Sequence, residues 1–571
     1  MNQRVTNIVL VAAMAAMMLL FCATTLFNTK GEPREAIVAL SMLQSGDWIL
    51  PSSFGGEEMP YKPPFLAWCI ALASLLFGGG HVTELTSRLP SLVAAMCMVV
   101  ATARFFTRHG RHGQLAGVMA AWVTITSFEV FRAATACRVD MVLTAFMVCA
   151  LYSLYDWWAM PRSQRRGGLP WGAVLLMSGA FLTKGPVGVF LPCLAIGIYR
   201  LTRSDRFWPL FLRLVAVGLC SLVIPAVWYV LAGMRGGDRF IDLIVEENVG
   251  RMTGTMSYAS HENPAWYNVL TLLTGMVPYT LLALMSLAVV RWRGLWPRLK
   301  EWVRSRMPMT EASAFALVSA LTIFIFFCIP KSKRSVYLLP MYPFVAWGVT
   351  MLMLRLGASR PGRIVARWFG GIMGVLAIIL PLAWVALKFG AGDSVRDTAH
   401  FNEYQSVGMT VVSALFAVVS LGVGLMVLRT VRTRLFAADY SGLKCFVPTA
   451  VALFAVYSML DNAILPPILS QKTDRVVAEQ INALQPEGTV WSWVNEPMLR
   501  FYTANFYLDD RLRQIPSEGP YTLPAPGSLM IVGEIDLERL ASHTPLSYEV
   551  VWKGERRSCD VKQKPLIIRL K

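Results

Sequence analysis

Residues 326–344 read FFCIPKSKRSVYLLPMYPF. Two apolar runs, 311–329 and 335–354, meet in this stretch at a break carrying Lys331, Lys333 and Arg334. A run of roughly 20 apolar residues is what a helix needs to cross a bilayer, and soluble cores seldom need one so long. The stretch therefore reads as two spans joined by a short cationic loop. The composition agrees, since 55% of the 571 residues are hydrophobic and 15% are charged.

Working outward, similar runs lie at 8–27, 90–106, 114–130, 139–157, 171–183, 186–200, 208–232, 265–290, 368–388, 408–428 and 445–463. With the first two they predict an α-helical polytopic membrane protein of about thirteen transmembrane helices. The runs 171–183 and 186–200 are short and hinge at Lys184-Gly185-Pro186, so loop charge has to decide whether they are one span or two. Arg104, Arg108 and Arg111; Arg162, Arg165 and Arg166; Arg200, Arg203 and Arg206; Arg291 through Arg306; Arg355 through Arg367; and Arg429 through Lys444 fall in alternate connections. Because basic loops stay cytoplasmic, they are two spans, the N-terminus is inside and residues 464–571 are outside. The first run is needed for this parity and is read as a retained span, not a cleaved leader. The net charge of +18 is then mostly topology. Its scatter over many loops, with no accompanying motif, argues against a nucleic-acid partner.

Ten cysteines lie mostly in or beside apolar runs, and Cys559 alone falls in the outer C-terminal segment, so no disulfide forms within that segment. No CxxC pair or His/Cys cluster marks a metal site.

The same parity puts the cations of 326–344 on the outer side, where basic residues are uncommon. They are joined there by Arg132, Arg138 and Asp140 in FRAATACRVDMVL and by Lys184 in FLTKGPVGVFLP. Charges at the ends of spans are costly unless paired or solvated, so their concentration on one side points to a site. Lys and Arg in that number want phosphate, and nearby acids supply a base or a metal ligand. A phosphate-bearing substrate outside the cell is most simply a lipid phosphate. The first outer segment, 28–89, holds Glu32, Arg34, Tyr61 and Lys62 and predicts two interfacial helices, with Pro33 suited to a first helical turn. Glu32 also reads as a plain helix cap, and Lys62 as a residue snorkelling to headgroups.

The succession GEPREA, SGDW, YKPP, CRVD, LTKGPVG, HENPAW and KSKRSVYLLPMYP, running over about residues 8–465, resembles the GT-C glycosyltransferases that use polyprenyl-phosphate sugars, in the branch of aminoarabinose transferases and protein O-mannosyltransferase-like enzymes (families 39 and 83). The resemblance implies transfer of an aminoarabinose- or hexose-like sugar from an undecaprenyl-type phosphate to an envelope acceptor, lipid A or a protein, at the periplasmic face of a bacterial inner membrane. It implies catalytic roles for Glu32 and Asp140. Donor or substrate contacts would come from Arg34, Tyr61, Lys62, Arg138, Lys184, Lys331, Lys333, Arg334 and Tyr337, with Glu247 and His261 of the large outer loop 233–264 bordering the cavity. Gly31 stands where the first acid of the D-E-x-R pattern belongs, and Tyr61 where some zinc-binding relatives have an acid. The family's zinc-ligand pattern is thus only partly matched, which leaves a divalent metal an open alternative, and no cofactor is assigned. A lipid transporter or a glycan ligase would share the charged outer cavity, although no internal repeat of the kind transporters show is evident.

Residues 466–571 are polar and mixed, with strands expected at 489–494 and 528–532 and an amphipathic helix at 472–484, enough for a small α/β domain on the outer side. The domain 1–465 carries the membrane spans. No nucleophile or phosphate loop stands out in the C-terminal part, which is assigned to covering the cavity or recognising the acceptor.

Overall fold

A computed structural model of the chain describes residues 3–571 apart from Tyr61 and residues 162, 164, 166–167, 248–261, 265, 290–308, 390–409, 436, 438–439, 498 and 518–521. Two expected site residues, Tyr61 and His261, lie outside the described residues. The helices run α1 (Gln3–Thr24), α2 (Gly31–Ser45), α3 (Phe65–Phe77), α4 (Glu84–His109), α5 (Gly113–Ile125), α6 (Phe128–Ala134), α7 (Val139–Ala159), α8 (Trp171–Lys184), α9 (Val187–Thr202) and α10 (Phe207–Val245). They continue with α11 (Tyr267–Gly275), α12 (Tyr279–Ser286), α13 (Glu311–Cys328), α14 (Tyr342–Ala358), α15 (Arg360–Lys388), α16 (Val411–Thr433), α17 (Val447–Met459) and α18 (Leu465–Ser470).

Among the described residues, 8 helices are long and apolar enough to cross a bilayer, or up to 10 when each of two bent pairs counts as one span. The expected runs 171–183 and 186–200 fall on the shorter apolar helices α8 and α9, and 8–27 on α1, of which Val11–Thr24 is a shorter apolar stretch. The protein is a multi-pass helical membrane protein. The bends have local causes. Between α5 and α6, which meet at 71°, the hydroxyls of Thr126 and Ser127 donate to the carbonyls of Trp122 and Val123 beside the break. Between α11 and α12 the chain turns by 100° at Pro278, which has no N–H to continue a helix. Gly185, at φ 90° and ψ −154°, separates α8 from α9 in a conformation that a side chain would oppose.

The main core is built on an aromatic stack between α4, α7, α13 and α14. Phe106 lies flat on Trp347 at 4.3 Å and Phe105 on Tyr152 at 4.2 Å. Segment 28–89 holds α2 and α3, two helices as expected; α2 closes on Gly46 (φ 72°), whose N–H bonds the carbonyl of Met42. α10 continues to Val245 across a break at Gly237, and the last long apolar helix passes through a π-helical turn (Leu460–Ile464) into α18.

The C-terminal part adds α19 (Arg475–Leu484), β1 (Val490–Trp493), α20 (Tyr502–Tyr507), β2 (Leu512–Gln514), β3 (Leu529–Gly533), α21 (Glu534–His543), β4 (Tyr548–Lys553) and β5 (Pro565–Leu570). The two expected strands are β1 and β3, at the centre of a five-stranded sheet ordered β2-β1-β3-β5-β4, parallel at β2-β1-β3 and antiparallel at β3-β5-β4. Their burial on both faces made them legible, whereas β4 is largely exposed. This unit does not stand apart. Phe27, Ile37, Phe54 and Ile70, from the end of the first apolar run through segment 28–89, share one apolar cluster with Val477, Phe501, Phe506 and Leu512.

Candidate active site

Lys62 follows from a Pro-rich loop, YKPP, that places it against the start of α2, where its ammonium is paired with Glu35. Arg34 lies 3.7 Å from the same carboxylate oxygen. These three residues line a small cavity with Glu58, Trp228 and Tyr502, drawn from the outer loop, α10 and α20. Its volume is about 40 Å3, room for a few waters and not for a sugar. Burial pulls the Lys62 ammonium down to about 8, against the opposing charge of Glu35. Burial acts to raise Glu35, but Lys62 and Arg34 outweigh it and hold the carboxyl below its usual range. Glu58 accepts a 2.9 Å hydrogen bond from the Tyr502 hydroxyl and has Arg500 3.2 Å away, yet burial still pushes its carboxyl up.

A second pair lies close enough for its charge to act on Lys62 and Glu35. Asp140, in the first turn of α7, receives the ammonium of Lys184 at the end of α8, and that ammonium sits 4.4 Å from the centre of the Tyr337 ring. Three expected residues, from the start of α7, the end of α8 and the turn after α13, thus converge through one ion pair and one cation–π contact. Arg138, just before α7, lies over Gly31: a Cβ there would come within 2.8 Å of its Nη2. The guanidinium occupies the space in which the acid missing at position 31 would begin.

Glu32 is placed differently from the expectation. Its two oxygens accept from Arg88 Nε at 2.8 Å and Nη2 at 3.1 Å, and a third bond comes from the Cys137 N–H at 3.0 Å. Arg88 in turn donates to the carbonyls of Cys22, Thr25 and Leu26. Burial acts to raise Glu32, and Arg88 with Cys137 more than reverses it, so the carboxylate stays ionised. Glu32 makes no capping bond and does not line the cavity; it ties α2 to α4 and α7.

The cationic loop after α13 is also divided. Lys333 is buried and donates to the carbonyl of Pro330 at 2.6 Å, bracing its own turn, while Lys331 is exposed and Arg334 half-buried. The loop is held by an antiparallel bridge from Ser332 to Glu262, by Asn263, and by Arg132, which reaches Ser335 from an ion pair with Glu129. Glu247 follows the end of α10, half-buried. Glu35, Arg88, Glu58 and Tyr502 were not singled out in the sequence. Glu35 stood in the quoted GEPREA run, and Arg88 carried the ordinary signal of a charge inside a span end.

The donor set for a metal does not fit the cavity: Gly31 offers no ligand atom and both oxygens of Glu32 are committed to Arg88 and Cys137. Among the described residues, one group of three candidate ligands occurs, Asp474, Cys559 and Asp560, in the C-terminal part. There the carboxylates accept from Ser558, Cys559 and Thr503.

Residues 61–229 match the family model of dolichyl-phosphate-mannose-protein mannosyltransferases. The crystal structure of ArnT from Cupriavidus metallidurans bound to undecaprenyl phosphate superposes with a TM-score of 0.67, at 22% identity, over 98% of this chain and 97% of that one. The chain has the fold of that ArnT. It is also similar in sequence to undecaprenyl phosphate-alpha-4-amino-4-deoxy-L-arabinose arabinosyl transferases of Shewanella sediminis, 27% identical over 54% of this chain and 52% of that one, and of Edwardsiella ictaluri, 27% identical over the same shares. The aligned part spans about half the length of these relatives.

Proposed function

We propose that this GT-C protein transfers a sugar, aminoarabinose- or hexose-like, from a polyprenyl phosphate to a cell-envelope acceptor, most simply lipid A, on the outer face of a bacterial inner membrane. The observation that carries the reading is the convergence of Lys62, Arg34 and Glu35 with Asp140, Lys184 and Tyr337 at the outer ends of the spans, on a fold shared with an undecaprenyl-phosphate-binding transferase. The N-terminus lies in the cytoplasm and residues 464–571 in the periplasm.

In this reading the donor phosphate displaces Glu35 as the partner of Lys62, with Arg34 beside it, and the loop bearing Lys62 shifts to admit the sugar that about 40 Å3 cannot hold. The bond between the anomeric carbon and the phosphate oxygen breaks as the acceptor oxygen bonds to that carbon, and the electron pair departs with polyprenyl phosphate. Lys62 and Arg34 stabilise the charge that grows on the leaving phosphate, an effect typically worth several kcal/mol in a dry site. An acceptor phosphate needs no base. An acceptor hydroxyl gives its proton to Asp140 or to the released Glu35. Glu32 holds the loop in place and takes no part in the proton transfer.

Mass spectrometry of lipid A and of envelope proteins from a strain lacking the gene tests the reading. Loss of a glycosyl mass from lipid A supports it. Unchanged lipid A together with loss of the mass from a protein moves the acceptor to protein, and no glycosyl change in either class refutes the transfer.

A further inference from the structure

The end of α4 opposite the candidate site carries two arginines, Arg104 and Arg108, spaced so that both lie on one helical face. They stand about 24–30 Å along the helix from Arg88, using 1.5 Å per residue. Both are exposed, Arg108 with 68% of its side chain free, and Arg104 has no hydrogen-bond or ion-pair partner among the described residues. Arg108 meets Asp156 only at 3.9 Å, while His109 takes that carboxylate at 2.6 Å.

These arginines form the ridge between two cavities. On one side, a cleft of about 970 Å3 between α1, α4 and α5 is walled by Val11, Ala15, Val99, Val118 and Trp122. On the other, a cavity of about 780 Å3 between α4, α7 and α8 is walled by Trp157, Trp171 and Arg165, whose guanidinium lies 4.6 Å from the Trp157 ring. Tryptophans and arginines together mark the headgroup level of a bilayer, and a basic pocket between helices at that level suits an anionic headgroup. An apolar cleft beginning at the same two arginines and running up the helices suits acyl chains.

We propose that Arg104 and Arg108 hold the phosphate of an anionic phospholipid whose acyl chains fill the cleft between α1, α4 and α5. The occupant is a bilayer lipid and not the sugar donor, because the site lies at the far end of α4 from Lys62, Arg34 and Asp140. Its charge complementarity is direct: two cations, one of them unpartnered among the described residues, at the mouth of an uncharged groove of lipid-chain size. Bound there, the lipid joins α1 to α4 and α5.

The full chain, purified and stripped of lipid, is titrated with phosphatidylglycerol or with phosphatidylcholine of the same chains, and bound lipid is counted by native mass spectrometry. Phosphatidylglycerol is expected to be retained more tightly, by about fivefold for each arginine and so ~25-fold for both. The double variant Arg104→Gln/Arg108→Gln should lose that preference, and Arg429→Ala, an exposed arginine outside both cavities, should keep it. A second variant, Ala12→Phe/Ala15→Phe, fills the cleft without touching the charges and should lower retention of both lipids. Equal retention of the two lipids by the parent protein overturns the proposal. So does a double glutamine variant that retains phosphatidylglycerol like the parent, or displacement of the bound lipid by equimolar undecaprenyl phosphate.

Discussion

Glu32→Gln separates a structural clamp from a catalytic acid. Arg88 is 1% exposed, and among the described residues Glu32 is the charged partner of its guanidinium, through two hydrogen bonds of 2.8 and 3.1 Å. Glutamine keeps the shape of the side chain and removes the charge. Breaking a buried pair by removing one partner usually costs about 3–5 kcal/mol. The carbonyls of Cys22, Thr25 and Leu26 still accept from the guanidinium, which places the expectation near the lower end, about 3 kcal/mol. A reversible unfolding titration in mixed micelles reads this directly. Adding Arg88→Met should recover at least half of the loss, because the uncompensated charge is then gone. Any fall in turnover should follow the folded fraction. Parent-like stability combined with a hundredfold loss of turnover would refute the clamp and return Glu32 to the chemistry.

Further outcomes are expected around the site and its scaffold. Lys62→Ala should weaken donor binding by about 1.5–3 kcal/mol, the scale of a lost charge-assisted hydrogen bond, read as Kd for undecaprenyl phosphate. Because burial lowers Lys62 to about 8, the cation that binds phosphate is present below that pH and lost above it, so kcat/KM for the donor should fall as pH rises through about 8. In Lys62→Arg that fall should vanish, and a profile unchanged by the substitution would contradict the assignment. Asp140→Asn should fold and lose at least ~100-fold in turnover with a hydroxyl acceptor, the lower end for a positioned base, and much less with a phosphate acceptor. Gly55→Ala puts a Cβ 2.0 Å from Arg513 Nε at a residue with φ 73°, and should loosen the C-terminal sheet from the outer loop, seen as faster amide exchange in α20 with α7 unchanged. Cysteines at Gly56 and Ser517 should both react with an impermeant reagent from the outer side; protection of either contradicts the proposed orientation.

The membrane architecture was legible because each span carries its own signal in a continuous apolar run, and because Gly185 marks the turn between α8 and α9. The convergence of Asp140, Lys184 and Tyr337 was legible only in part: charge at span ends named the residues, while the pairing depends on how α7, α8 and the turn after α13 pack. Glu32 was misplaced for the same reason. Its partner Arg88 lies 56 residues away, and nothing local distinguishes a carboxylate facing a cavity from one facing a buried guanidinium. Glu35, three residues on in the same helix, takes the position beside Lys62 instead. The C-terminal sheet revealed β1 and β3 by their buried apolar runs, whereas β4, exposed at the edge, carries little apolar pattern, and the buried interior strand β5 was not singled out.

The most direct test of transfer is the reaction itself: the purified full chain in lipid discs, with undecaprenyl-phosphate aminoarabinose and lipid A, followed by simultaneous detection of free undecaprenyl phosphate and glycosylated lipid A. The account requires the two products to appear in equal amounts, to depend on both substrates, and to fall together in Lys62→Ala. Neither product from well-folded parent protein, with either an aminoarabinose or a hexose donor, would contradict it.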